Sequence, residues 1–142
     1  MGMGDCPPTD AEAQQALENY LRAIFKSTSY SITSFQKTNG QALNAFGMSI
    51  YNYEFTAAFT LPNGSVPDVA HRDLQTVCSE GPYDNNRCRF AYYIFQRAFD
   101  GLNLMGPQAK QLHRPNTPIK LSATLKFEKT ERGWRNNQQL SI

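Results

Sequence analysis

Long apolar runs are missing from this chain. Nowhere in its 142 residues do the ~18 consecutive apolar residues of a membrane-spanning helix occur. The opening MGMGDCPPTD carries neither a basic nor an apolar region, so it does not read as a signal peptide. Cys6 stands where N-myristoylation wants Ser or Thr. Histidine is scarce, with only His71 and His113. No cysteine or histidine pair has metal-ligand spacing, so neither a zinc site nor any other cofactor is expected. Charge is also sparse: 18% of residues are charged and the net charge is +2, too little to point to nucleic acid as a partner.

One motif invites a reading and fails it. His71-Arg72-Asp73-Leu74 spells the start of a protein-kinase catalytic loop. That loop needs an Asn four residues after the Leu, but Cys78 stands there. No glycine-rich loop, V-A-I-K lysine or DFG accompanies it. We read the tetrapeptide as ordinary residues of a loop leading to Cys78.

Hydrophobic residues make up 40% of the chain, which is a folded composition, and the length suits one domain. Three cysteines are present. Cys78 and Cys88 flank SEGPYDNNR, a run of turn formers that can bring its ends to bonding distance. A disulfide there removes about 3 kcal/mol of unfolded-chain entropy. It also favours an exported, oxidising compartment. Cys6 opens CPPTDAEAQ, which has the look of the first residues of a mature bacterial lipoprotein, although the preceding GMGD is no lipobox. Cys6 is thus a candidate for lipidation and a membrane tether.

Residues 1–9 read as a flexible tail. Thr9 and Glu12 then form a capping box. After it Ala13, Ala16, Leu17, Tyr20, Leu21 and Ile24 recur at helical spacing, predicting an amphipathic helix over 10–26. SYSITSFQKTNG predicts a strand near 30–37 that ends at Asn39-Gly40, with QALNAFG as a short bridge, one helical turn long. In MSIYNYEFTAAFTL, residues 48–61, Tyr51, Tyr53, Phe55, Ala57, Phe59 and Leu61 share one face of a half-buried strand. Residues 62–118 resist assignment, apart from CRFAYYIFQRAFDGL, which reads as a short helix stopped by Gly101, buried or covered by a partner, with a buried strand as the alternative. Strict alternation returns at 119–128, followed by a KTERG turn and a return strand starting at Trp134, expected to pack on the first helix.

These elements predict one α+β domain over 10–142: an N-terminal helix on a curved antiparallel sheet, with a disulfide-pinned insertion at about 62–118. FQKTNG…AFG…YNYEF together with the closing LKFEKTERGWR resembles small exported bacterial domains of cystatin-like or NTF2-like architecture. The likeness covers roughly 10–61 and 117–140, and it transfers no active site, because such architectures host unrelated functions.

No catalytic constellation is legible. Cys78 or Cys88 with His71 or His113 lacks any family signature of a nucleophile and base. Glu54, beside Tyr51 and Tyr53, falls by alternation on the face away from the aromatics. Lys120, Lys126, Lys129, Arg132 and Arg135 concentrate positive charge on the closing hairpin, without the interleaved exposed aromatics of a nucleic-acid surface. Asn63-Gly64-Ser65 is a glycosylation sequon. The aromatic side chains Tyr92, Tyr93, Phe95 and Phe99 are the expected interaction surface. The expectation is therefore a non-enzymatic exported accessory or interaction domain of the bacterial periplasm or envelope, a subunit of an envelope or membrane-associated assembly with a protein partner. The alternative is an NTF2-like pocket between helix and sheet, lined by Tyr20, Tyr53 and Phe55, that binds or converts a small apolar molecule.

Overall fold

The capping box and the stripe that follows it produce helix α1, Asp10–Ile24. In the computed structural model, which describes residues 6–26, 30–61, 67–79, 86–98, 102–103, 106–107, 118–137 and 139–142, both arms of the box are formed. Thr9 Oγ1 accepts from the Glu12 amide at 3.1 Å, and Glu12 Oε1 accepts from the Thr9 amide at 2.9 Å. All six residues of the predicted stripe are buried. The expected flexible tail is held from residue 6 onward: Pro8 is buried, and the Cys6 carbonyl accepts a hydrogen bond from Trp134 Nε1 at 2.8 Å.

Strand β1 runs Ser31–Ala45 and β2 Met48–Thr60, paired antiparallel from Ser31 opposite Thr60 to Ala45 opposite Met48. The predicted stop at Asn39-Gly40 does not occur, and QALNAFG is no helical turn. Gly40 lies within the strand, facing the Tyr51 side chain so closely that an added Cβ would fall on its hydroxyl. Glycine there makes room rather than a turn. The chain reverses instead at Phe46-Gly47, with φ of 53° and 77°, the paired positive values of a two-residue type I′ hairpin. Register shifts at Thr33 and Thr38 mark bulges in β1, which bend a strand and raise its twist.

Between β2 and the next long strand the chain forms helices α2, Pro67–Ser79, and α3, Asn86–Ala98, then a two-residue ladder of β3, Leu102–Asn103, with β4, Gly106–Pro107. Helix α2 escaped the sequence reading because its apolar stripe is thin, chiefly Leu74, Val77 and Cys78. Its start at Pro67 is the first-turn position that proline tolerates. The kinase-like tetrapeptide thus lies inside a helix, not a loop, with Asp73 buried. The Cys78–Cys88 disulfide joins the end of α2 to the start of α3.

Strand β5, Ile119–Thr130, pairs with β2 from Ile50 opposite Glu128 to Phe59 opposite Ile119. Its other edge carries β6, Gly133–Arg135, and β7, Leu140–Ser141. The sheet order is β1-β2-β5-β6 with β7 beside β5. Among the described residues β1 pairs only with β2, so it forms a sheet edge. The fold is α+β, as expected. One apolar cluster unites the α1 stripe, the inner faces of β2 and β5, Leu74 and Val77 of α2, and Phe90, Ala91, Ile94 and Phe95 of α3. Every predicted inward residue of β5 (Ile119, Leu121, Ala123, Leu125, Phe127) is buried in it.

Candidate functional site

The expected surface on α3 is largely interior. Phe95 is 1% exposed, with its ring centroid 5.0 Å from that of Phe25. Tyr92 and Tyr93 are half-buried against the core. Tyr93 is further engaged: its hydroxyl donates to the Lys120 carbonyl at 3.1 Å, and the Arg97 guanidinium sits 3.6 Å above its ring. Phe99 lies outside the described residues. The correction has a simple cause. A helix apolar nearly all round is covered on both sides here, because Phe90 meets Tyr20 of α1 and Phe59 of β2 while Phe95 meets Phe25.

The place foreseen for a ligand pocket is filled. Tyr20, Tyr53 and Phe55 are each no more than 1% exposed. Phe35 stacks on both Tyr53 and Phe55, with centroids at 6.0 and 5.0 Å. The Tyr53 hydroxyl donates to Asp10 Oδ1 at 2.7 Å. Burial, and then that carboxylate, push its ionisation well above the ordinary tyrosine range. The Tyr20 hydroxyl is buried without a hydrogen-bond partner among the described residues, and burial raises its pKa to about 12. Neither phenol is poised for proton transfer near neutrality. Glu54 lies on the outer face, as alternation foresaw, and accepts from Asn39 Nδ2 at 3.0 Å. An open depression of about 810 Å³ on that face is bordered by Ser34, Thr56, Ser122, Lys120 and Ile142, with no Asp, Glu or His side chain among its described lining residues.

Of the predicted chemistry, the disulfide is present and Cys6 is a free, exposed thiol. His113, Asn63 and the side chain of His71 lie outside what is described. Among the described residues no group of His, Cys, Asp or Glu is placed to hold a metal, and no helix is long and apolar enough to cross a membrane.

A different region gathers exposed chemistry. Beyond the row Leu43–Ile50–Glu128–Arg135, which crosses β1, β2, β5 and β6, two hairpin turns project from the same end of the sheet. The β1–β2 turn is apolar. Phe46 at its tip is fully exposed, and Leu43 and Met48 are 39% and 42% exposed. Leu43, Ile50, Ala45 and Met48 share one face by register. No charged residue occurs between Lys37 and Glu54. The β5–β6 turn, about 10 Å away at two strand spacings, is cationic. Lys129, Arg132 and Arg135 are exposed there, with Glu131 in the turn.

Behind the two turns runs a line of alternating cations and rings. Lys37 Nζ donates to the Tyr51 hydroxyl at 2.7 Å and lies 5.1 Å from that ring's centre. The Tyr51 and Trp134 centroids are 6.0 Å apart, and Lys129 Nζ is 5.0 Å from the Trp134 ring. Such cation–ring contacts hold the basic side chains along the sheet end. Trp134 also borders an open groove with Glu12 and Gln15 of α1. The Cys6 backbone is bonded to the same indole. The sequence reading noted the basic hairpin and Cys6 separately. Phe46 escapes that reading, because the Asn39-Gly40 pair puts the turn seven residues too early.

No protein family, no curated protein and no solved structure matches this chain, and the likeness to cystatin-like or NTF2-like domains gains no support.

Proposed function

We propose that this chain is a non-enzymatic interaction domain of an exported, oxidising compartment, an accessory component at the bacterial cell envelope that works through the hairpin end of its sheet. One observation carries the reading. Phe46 is fully exposed while its backbone is held at φ 53°. That region disfavours L residues by roughly 1–2 kcal/mol, and Gly, Asn or Asp fill it readily. An aromatic side chain that strains its own turn and adds nothing to the core is accounted for by a contact outside the chain. The disulfide supports the oxidising setting.

The test is fractionation of host cells carrying the protein with Cys6 replaced by Ser, which removes any contribution of a lipid. On this reading the parent stays with the envelope, and adding Leu43→Ser, Phe46→Ser and Met48→Ser releases it in folded form. A triple variant that remains in the envelope fraction like its parent rejects the hairpin end as the contact.

A further inference from the structure

Resting on that reading, we infer that the hairpin end docks onto the lipid–water interface of an anionic membrane leaflet. Phe46, Leu43 and Met48 enter the boundary region, and Lys129, Arg132 and Arg135 lie over the headgroups. The shape argues for a bilayer over a protein pocket. The apolar residues sit on a projecting two-residue turn, and the segment beyond the last row paired to β5 is about 10 Å long at strand rise. That matches the 5–10 Å (roughly) to which interfacial segments sink. Three side chains on a narrow tip fall short of the ~800 Å² per partner of a stable protein interface.

Charge is complementary to the same surface. The tip itself is uncharged from 38 to 53, as entry among lipids requires. Residues 126–135 beside it carry Lys126, Lys129, Arg132 and Arg135 against Glu128 and Glu131. The carboxylates nearest on α1 are engaged within the protein: Asp10 by the Tyr53 hydroxyl and Glu12 by the Thr9 amide. Trp134, half-buried beside the basic turn, has the amphipathic ring favoured at membrane interfaces. Cys6 accepts a hydrogen bond from that indole through its carbonyl, so it lies at the same end. A lipid on Cys6 and the hairpin tip would therefore meet one membrane together, the two-signal arrangement that makes weak anchors stable.

The probe is the purified full chain, without lipid, mixed with vesicles of phosphatidylglycerol and phosphatidylcholine or of phosphatidylcholine alone. Binding is read by co-sedimentation and by the emission of Trp134, the chain's only tryptophan. We expect binding to the anionic vesicles with a blue shift. Phe46→Ser should weaken it at least about tenfold. Lys129→Gln with Arg132→Gln should weaken it by a similar factor and flatten its salt dependence. Far-UV circular dichroism establishes that each variant is folded. No binding to anionic vesicles, or wild-type binding by Phe46→Ser, overturns the inference. So does a Phe46-dependent dimer in sedimentation velocity without vesicle binding, since the occupant is then a second copy. Envelope release in the fractionation test combined with failure on vesicles would leave the interaction reading standing and identify a protein as the contact. Failure of the fractionation test alone would reject the broader reading.

Discussion

Helix α3 and the β1–β2 turn both carry large apolar side chains, and the fold uses them in opposite ways. In α3, Phe90, Ile94 and Phe95 are sealed against α1, β2 and Phe25, and a disulfide fixes the helix start to α2. At the hairpin turn Phe46 touches none of the core, and Leu43 and Met48 stand half-open beside it. Aromatic density therefore does not locate a contact surface. What separates the two regions is whether another element arrives to cover them. Helices α1 and α2 and a sheet face converge on α3, while β1 and β2 extend past the last residue of β2 that β5 pairs.

The sharpest way to break this contrast is truncation. Phe90→Ala should lower stability by about 3–5 kcal/mol in urea unfolding. Phe46→Ala should change it by no more than about 0.5 kcal/mol. Comparable losses would make the turn part of the core and end the distinction. Removing the disulfide, by Cys78→Ala with Cys88→Ala, should cost about 3 kcal/mol for a separation of 10 residues. That loss should be felt in α2 and α3 and leave hydrogen exchange in the β1–β2 hairpin nearly unchanged.

Smaller effects sharpen the comparison. The Tyr20 proton is held more tightly in the fold, with the pKa raised by burial to about 12 from its ordinary value of 10. Stability is therefore unaffected by this proton below pH 10 and falls as pH rises from 10 towards 12. Tyr53 acts in the same direction. Tyr20→Phe should reduce this alkaline loss and add about 1 kcal/mol at neutral pH, because it deletes a buried hydroxyl that has no partner among the described residues. Phe46→Asn should raise the thermal midpoint slightly, worth up to ~1 kcal/mol, by relieving the positive φ. A gain in stability joined to a loss of envelope association would be the signature of a residue kept for contact.

Much of the scaffold was legible in the residues. The Thr9–Glu12 box and the alternation in β2 and β5 are local signals that the tertiary fold reinforces, so they predicted both the elements and their buried faces. Asn39-Gly40 misled because a turn-forming pair and a space-making glycine look alike until the partner strand is known. Here the space is needed by Tyr51, across the hairpin. Helix α2 lacked a broad stripe because α3 and the disulfide supply much of its support. For α3, the nearly continuous apolar letters fit a buried helix or a buried strand, and they do not say how many sides a neighbour covers. The site depended on register. Shifting the turn to Phe46-Gly47 carries Leu43, Phe46 and Met48 to the exposed end, and no local pattern announces that shift.

The bulges at Thr33 and Thr38 bear on how this protein behaves in a crowded solution. An open β1 edge offers backbone groups to any visiting strand, and polymerisation along such edges is a common hazard. A straight visitor finds only Ser34–Lys37 and then Asn39–Ala45 without interruption. Each register shift ends a growing ladder before cooperative pairing can extend, and Lys37 sits within the shorter stretch. The irregularity that bends β1 thus also shortens the ladder that any visiting strand could build on the edge left open among the described residues.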